Sequence, residues 1–534
     1  MDNDQKARLI DEQSAQRRAR IVGIPYFDTS AHPIELYSLL SVDEIKQTKL
    51  VPLYVSNHEI RFGITNTTSQ ATIRSLKNRF MDQQVQIYLI SDAGFRELIK
   101  RYDPPKKVEY QNISLRGDVD TQTQSNNITQ TLSSVKADDM LAYIVQQSYS
   151  LKASDIHFET DTNDVAIRFR VGGVLHPIAR ISNDKYRQLI SSLAVSANIS
   201  SSSDDAQTGH INRNYTMADG TVVELNLRVE TVPTAHGMDA VLRLFNLDAN
   251  LMRLDRLGLQ SYELRIVQDI ISHPTGLMLI VGPTGSGKTT TLYSILNELN
   301  TTERKIITLE DPVEYNISGV TQIPVKSRSS DDSFAEKFRA VLRLDPDIIM
   351  VGEIRDSDTA KTALQSALTG HLVMATYHAG NASAALTRML GSIEENPLFL
   401  SAIRLVLAQR LVRRLDDNTK EAYRPDQSTL VWLQRVIDTM PDYIERPNLN
   451  NITLYRPVPS AENPFGYSGQ IAVRELLLMT KNVEEELKKP RKEITAHNVQ
   501  NLAVKDGMTT MLHEGVLKAL AGETTLQEIS RVIV

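Results

Sequence analysis

The 534-residue chain contains no cysteine. Disulfides, zinc–thiolate sites, iron–sulfur clusters and thiol nucleophiles are excluded with it. Positive charge is not in excess either: 59 Lys and Arg stand against 65 Asp and Glu, a formal charge of −6 with a pI near 6.1. A surface built to grip a nucleic-acid backbone is basic, so this balance argues against nucleic acid as the main partner. No apolar run approaches the roughly 18 residues that cross a bilayer. The amino-terminal stretch MDNDQKARLIDEQSAQRRAR is charged throughout and has no apolar signal-peptide core. These absences predict a soluble protein of a reducing or redox-indifferent compartment, most simply the cytoplasm, which does not insert into a membrane and meets one only through a partner. What is present is a globular balance, 41% apolar and 23% charged with 6% aromatic residues. At roughly 150 residues per domain the length predicts three or four domains.

Composition divides the chain. Residues 1–104 read as a small α/β domain: VPLYVSNHEIRFGIT (51–65) alternates like a hairpin, ATIRSLKNRFMD (71–82) has helical spacing, and VQIYLIS (85–91) is a third strand. Residues 105–135, rich in Ser, Thr, Asn and Gln after Pro104-Pro105, read as a flexible linker. A second domain over 136–247 opens with a helix at 137–153, and strands follow at 155–160, 164–171, 222–230 and 241–246. From about Leu254, within a third domain over 248–534, buried strands alternate with helices: GLMLIVG, KIITLED, DIIMVGE and HLVMATYH each end in polar residues. That alternation predicts a parallel sheet covered on both faces, with the chemistry at its carboxyl edge. The tail 494–534 reads as three short helices.

GPTGSGKT, Gly282 through Thr289, fits the eight-residue phosphate-loop pattern at every defined position, between the apolar strand LMLIV and a helix. Glycines let backbone N–H groups turn toward an anion, and the helix adds its positive end. Gly282, Pro283, Thr284, Gly285, Ser286, Gly287, Lys288, Thr289 and Thr290 are therefore the expected nucleotide-binding residues, with Lys288 on the β- and γ-phosphates and the Thr289 hydroxyl on Mg²⁺. Hydrolysis needs carboxylates as well. DIIMVGEIRD (347–356) delivers Glu353 at a strand end, where it could hold hydrated Mg²⁺ or orient the attacking water. IITLEDPVEY (306–315) delivers Glu310, Asp311 and Glu314; for the last two, turn or capping roles stand as an equal reading. TGHLVMATYHAGN (369–381) adds His371 and His378, of which His378 could donate to the γ-phosphate.

The order of these motifs resembles the secretion ATPase superfamily, and within it the type IV pilus assembly and type II secretion motors. ASDIHFE (153–159), AIRFRVGGVL (166–175), AQRLVRRL (408–415), GYSGQIAVREL (466–476) and DGMTTM (506–511) extend the resemblance across the second and third domains. RARIVGIPYF (18–27) carries it, more weakly, into the first. The resemblance implies a RecA-like phosphate-loop core, a PAS-like second amino-terminal domain and a small α/β first domain that docks on a platform. It implies a homohexameric ATP hydrolase that uses ATP and Mg²⁺, held at the inner membrane through a polytopic platform protein and other pilus or secretion proteins. Glu310 and Glu353 match the family's catalytic glutamates, and His378 and His371 the end and start of its histidine box. ELNLRVE nominates Arg228, and VLRLF nominates Arg243, as arginines that reach the phosphates of the same or a neighbouring subunit.

Three departures stand out. His210 replaces an arginine that often precedes the arginine strand. Where many assembly ATPases carry a tetracysteine zinc module, residues 416–465 have no thiolate to offer and must hold their shape by packing, so no zinc site is expected. The first domain lacks the motif with which some members bind cyclic di-GMP. The retraction motors' Ala-Ile-Arg-Asn-Leu-Ile-Arg-Glu run is absent from AHNVQNLAVKDGMTTM, which favours assembly, in a branch such as the type IVb or conjugative thin pili. The competing readings are a nucleotide-switched scaffold with little turnover and a DNA-translocating motor.

Overall fold

In a computed structural model, residues 3–29, 34–102, 121–135, 137–217, 219–245, 252–325, 334–393, 396, 398–460 and 463–533 are described. The chain divides into two units, residues 1–110 and 111–534.

In the first unit β1 (Leu50–Val55) and β2 (Glu59–Ile64) form the expected hairpin, and β3 (Gln84–Leu89) lies parallel to β2. The helix expected over 71–82 runs Gln70–Arg79, started by the Ser69 hydroxyl, which accepts from the Thr72 N–H. Ile45, Leu50, Val51, Ile60, Phe62 and Phe95 form the buried centre.

The second unit begins with a departure from the sequence reading. Residues 121–134, inside the expected flexible linker, form a helix whose Ile128 and Leu132 are buried. These residues are four apart, so a single helical face carries both. The helix packs on the strand Val174–Ser182, where Thr129 accepts from the Arg180 backbone N–H at 3.0 Å. Residues 105–120 of the linker lie outside the described residues. The next helix, Ala137–Ser150, agrees with the reading. An antiparallel sheet follows: β4 (Ala153–Thr160), β5 (Asp164–Val171), β6 (Val174–Ser182), β7 (Gln207–Thr216), β8 (Val222–Thr234) and β9 (Gly237–Phe245), in the order β6-β5-β4-β9-β8-β7. Only β4, β5, β8 and β9 were legible as strands; β6 is interrupted by Pro177, and β7 is mostly polar.

The core of the chain is a seven-stranded sheet. Its strands are β10 (Gly276–Val281), β11 (Ile306–Glu310), β12 (Thr321–Pro324), β13 (Ile348–Val351), β14 (Leu372–Tyr377), β15 (Ile403–Leu415) and β18 (Tyr467–Leu478). They lie in the order β12-β11-β13-β14-β10-β15-β18, all parallel except β18, which runs antiparallel to β15. Every residue of β10, β11, β13 and β14 is buried, as strands covered on both faces must be. One face packs Leu279, Ile349, Val373 and Ala408 on the helices Ser357–Leu368 and Ala382–Ser392; the other packs Ile280, Met374, Leu405 and Leu407 on Ser261–Ser272 and Lys288–Leu299. The α/β reading with a parallel core is what the structure has. The tail forms three helices, Ala496–Lys505, Met511–Leu520 and Leu526–Val532.

The segment 416–465 closes on itself. Its ends meet where Asn463 donates to Asp416 Oδ2 at 2.8 Å, and the short strands β16 (Glu421–Tyr423) and β17 (Leu454–Arg456) pair beyond that neck. Leu433, Val436, Ile437 and Met440 pack against Val516 of the tail.

Candidate active site

Parallel topology brings the polar strand ends to one edge of the sheet. β10 runs into the phosphate loop, with Val281 level with Tyr377 of β14. Gly287 adopts φ +84° just before the helix Lys288–Leu299, and Gly285 adopts φ +77°, both left-handed values that favour glycine. An added Cβ at Gly285 would meet nothing within 4 Å, so the loop's mouth is open. Lys288 Nζ donates to the carbonyls of Gly282 at 3.0 Å and Pro283 at 2.9 Å. Burial pushes its pKa down, while the charge of Glu353 works the other way.

The carboxylates separate into different environments. Glu310 is buried, its side chain held by the Tyr293 hydroxyl, by Thr308 Oγ1 at 2.5 Å and by Gln322 Nε2 at 3.0 Å. Glu314, left between a turn role and a site role by the sequence, takes a hydrogen bond from the Thr289 side chain. Burial and the charge of Glu310 raise its pKa; Thr289, Arg243 and Arg228 oppose that rise. Glu353 follows β13 after Gly352, where a Cβ would lie 3.0 Å from the Leu309 carbonyl, so the close approach of the backbones favours glycine there. Its Oε1 lies 3.0 Å from His378 Nε2, and its Oε2 accepts from Arg355 Nε at 2.8 Å. Arg355 also lies 3.5 Å from Asp311.

The antiparallel sheet supplies the opposite wall. Arg243 of β9 pairs across the strands with Arg228 of β8. Arg243 Nε donates to buried Asp155 at 2.8 Å, and Arg228 Nε donates to Glu230 at 2.6 Å. Arg243, Asp155, Lys288, Glu314, Glu353 and His378 line a single cleft of about 740 Å³, a size suited to a small ligand. Thr284, Gly285, Gly287, Thr289, Thr290 and Glu310 line it as well. Arg228 enters through its charge on Glu314.

His371 is not brought to this cleft. It precedes β14 at the amino edge of the sheet, its Nδ1 3.0 Å from the Ser366 carbonyl, a strand's length (about 20 Å at 3.3 Å per residue) from His378. Among residues the motifs did not single out, Gln409 of β15 donates to the Ser286 carbonyl beneath the phosphate loop, and Asp155 holds Arg243. AQRLV and SDIHFE were visible as motif segments, but nothing in their spacing marked these side chains.

A parallel sheet carrying a phosphate loop, strand-end carboxylates and a histidine defines a nucleotide-binding phosphate-loop ATPase. Residues 132–531 match the family model described as "Type II/IV secretion system protein", and the chain belongs to that family. It is 34% identical over 549 residues to the type II secretion system protein E of Xanthomonas campestris pv. campestris, spanning 98% of this chain and 91% of that one. It is 30% identical to the type IV pilus assembly ATPase PilB of Pseudomonas aeruginosa, over 97% of this chain and 90% of that one. The PilB of Thermus thermophilus is 31% identical over 98% of this chain, which spans only 58% of that longer protein. Among solved structures, the Legionella pneumophila ATPase DotB shares the fold, with a TM-score of 0.55 at 23% identity over 74% of this chain and 96% of that one. The chain is an ATP-hydrolysing secretion ATPase. No helix among the described residues is long and apolar enough to cross a membrane.

Proposed function

We propose that this ATPase is a homohexamer that couples Mg²⁺-dependent ATP hydrolysis to pilus assembly, by pilin extraction and polymerisation, or to type II secretion. In this reading the motion passes through a polytopic inner-membrane platform protein, which holds the ATPase at the membrane. Residues 1–104 dock on the platform, 136–247 supply the arginines, and 248–534 carry the hydrolytic site. The observation that carries the reading is the convergence of Lys288, Glu314, Glu353, His378 and Arg243 on one cleft. The likeness of nearly the whole chain to secretion and pilus assembly proteins supports it.

The open loop and its backbone N–H groups suit a triphosphate, with Lys288 exchanging its contacts to the Gly282 and Pro283 carbonyls for phosphate oxygens. Hard oxygen donors suit Mg²⁺, and Thr289 and Glu353 would hold it, the carboxylate through water. When bound, the cation neutralises charge on the phosphate oxygens. Glu314 orients the attacking water and accepts its proton, a task suited to a carboxylate whose pKa is raised by burial. Glu310, tied to Tyr293, Thr308 and Gln322, lines the same cleft, and its charge helps to raise the pKa of Glu314. His378 donates to the transferring phosphoryl group, and Arg243 with Arg228 neutralises the charge that develops there.

The test is ATP turnover by the full chain with and without the cytoplasmic part of its platform protein. Stimulation that vanishes in a variant lacking residues 1–104 is the expected result. Equal turnover in all conditions would overturn the proposed coupling, and stimulation by duplex DNA instead would favour the translocase reading.

A further inference from the structure

Successive residues of a strand point to opposite faces of the sheet. At the carboxyl end of β15 this places two polar side chains against two different loops of the active site. Gln409 faces the side of the helix Lys288–Leu299. Its Nε2 donates to the Ser286 carbonyl at 2.6 Å, and its Oε1 accepts from the Thr291 hydroxyl at 2.9 Å. A Cβ added to Gly282 would lie 2.7 Å from the Gln409 carbonyl, so the start of the loop also passes in contact with this residue. Arg410 faces the other side, toward the helix Ala382–Ser392. Its Nη2 donates to the Gly380 carbonyl at 2.6 Å, two residues past His378.

We infer that Gln409 and Arg410 are a pair of positioning residues, one registering the phosphate loop and the other the histidine loop, so that a strand that holds no catalytic group fixes the two loops relative to each other. The Ser286 carbonyl is one of the loop's own acceptors. Held down by Gln409, it stays away from the anion and leaves the neighbouring N–H groups turned toward it. Burial makes this restraint strict: Gln409 is 1% exposed, and a carbonyl released there has no water to turn to. Arg410 is half-buried and spans the gap to Gly380 with the end of its guanidinium, a reach that fixes where the chain turns after His378. The two restraints act through different loops, so they predict different kinetic signatures.

This inference rests on the assignment of the phosphate loop and His378 to the nucleotide site. Its test uses the full chain and reads ATP affinity, KM, kcat and melting temperature together. Gln409→Glu keeps the shape but sets an acceptor against the Ser286 carbonyl; about a tenfold loss of ATP affinity and a matching rise in KM are expected, equivalent to ~1.4 kcal/mol. Thr291→Val, which frees the Gln409 amide without touching the loop, should shift affinity the same way by a smaller factor. Arg410→Lys should leave affinity within about twofold and lower kcat about tenfold, because only the histidine loop is released. If these variants lower the melting temperature alone, with KM and kcat of the folded protein unchanged, the inference is overturned. A Lys288→Ala control separates the two levels, since retained ATP binding in that variant would overturn the site assignment itself.

Discussion

His378 places its Nε2 3.0 Å from Oε1 of Glu353, joining the ends of two neighbouring strands, β14 and β13. The pair gives Glu353 a fixed direction, because its other oxygen is held by Arg355. A carboxylate oriented from both sides needs little reorganisation when phosphoryl charge moves. Replacing Glu353 by Gln should lower kcat by about 10²–10³-fold with the fold intact. His378→Asn should cost about 10²-fold while ATP binding persists. Because the two touch, the double variant should lose much less than the product of the single losses, as steady-state kinetics on the four proteins will show.

Glu310 and Glu314 are separated by the same reasoning. Glu314→Gln should remove most turnover with a small change in melting temperature, since Glu314 meets the Thr289 side chain at the cleft. Glu310→Gln leaves three donors facing a weaker acceptor in a buried place and should show mainly as lost stability, on the order of 1–3 kcal/mol. Chemical denaturation and turnover measured on both variants will distinguish them. A Glu310 variant that unfolds normally but has no activity would reverse the assignment.

The arginine wall makes a prediction about subunit mixing. Arg243 lines the cleft of its own chain, together with Lys288. If each chain completes its own site, assemblies mixed from Arg243→Ala and Lys288→Ala subunits contain no intact site. Turnover should then stay at the level of the parent variants at every mixing ratio. Recovery toward a quarter or more of wild-type activity would mean that the arginine serves a neighbour.

The strand ends were legible because β10, β11, β13 and β14 are short apolar runs, each closed by a polar residue at the edge where a parallel sheet does its chemistry. Which partners these side chains meet was less legible, for a physical reason. Glu310, the last residue of its strand, lines the cleft, but its carboxylate is also held by Tyr293 of the packed helix, a partner that the strand pattern does not show. Glu314 reaches the cleft from the turn that follows, and sequence spacing does not specify the path of a turn. Gln409 was hidden in the same way, since its partners are 118 and 123 residues away along the chain. His371 and His378 bracket one motif but mark opposite ends of β14, so only His378 lines the cleft. In the helix 121–134 the two apolar residues four apart were a correct signal, outweighed by twelve polar or small neighbours that resemble a linker.

Acid should loosen the tail. Burial works to raise the Glu528 carboxyl, but hydrogen bonds from Arg531 and Arg413 outweigh it and hold the pKa at about 2, below the ordinary 4.5. A carboxyl depressed in the folded state contributes stability that is fully present above 4.5 and is lost as pH falls toward 2. The window is therefore pH 4.5 to 2, and the contribution is of order 3 kcal/mol. Glu528→Gln should melt well below the wild type at pH 7, and the gap should narrow by pH 3. Thermal melts at the two pH values measure it, and a gap independent of pH would show that the Arg413–Glu528–Arg531 cluster contributes no proton linkage.

The absent cysteines finally become a prediction about residues 416–465. Among the described residues no cluster of three or more His, Asp or Glu side chains could hold a metal ion, and the neck of this segment is closed by Asn463 on Asp416. Beyond the neck, shape depends on apolar burial: Ile437 is 1% exposed and packs in the cluster that includes Val516 of the tail. Ile437→Ala should therefore cost about 2–5 kcal/mol, whereas Asn463→Ala should cost nearer 1 kcal/mol. Incubation with a zinc-selective chelator should leave the melting curve unchanged, because no thiolate site exists to be emptied. A chelator-dependent drop in melting temperature, reversed by added zinc, would contradict the proposal that packing has taken over the role of the metal.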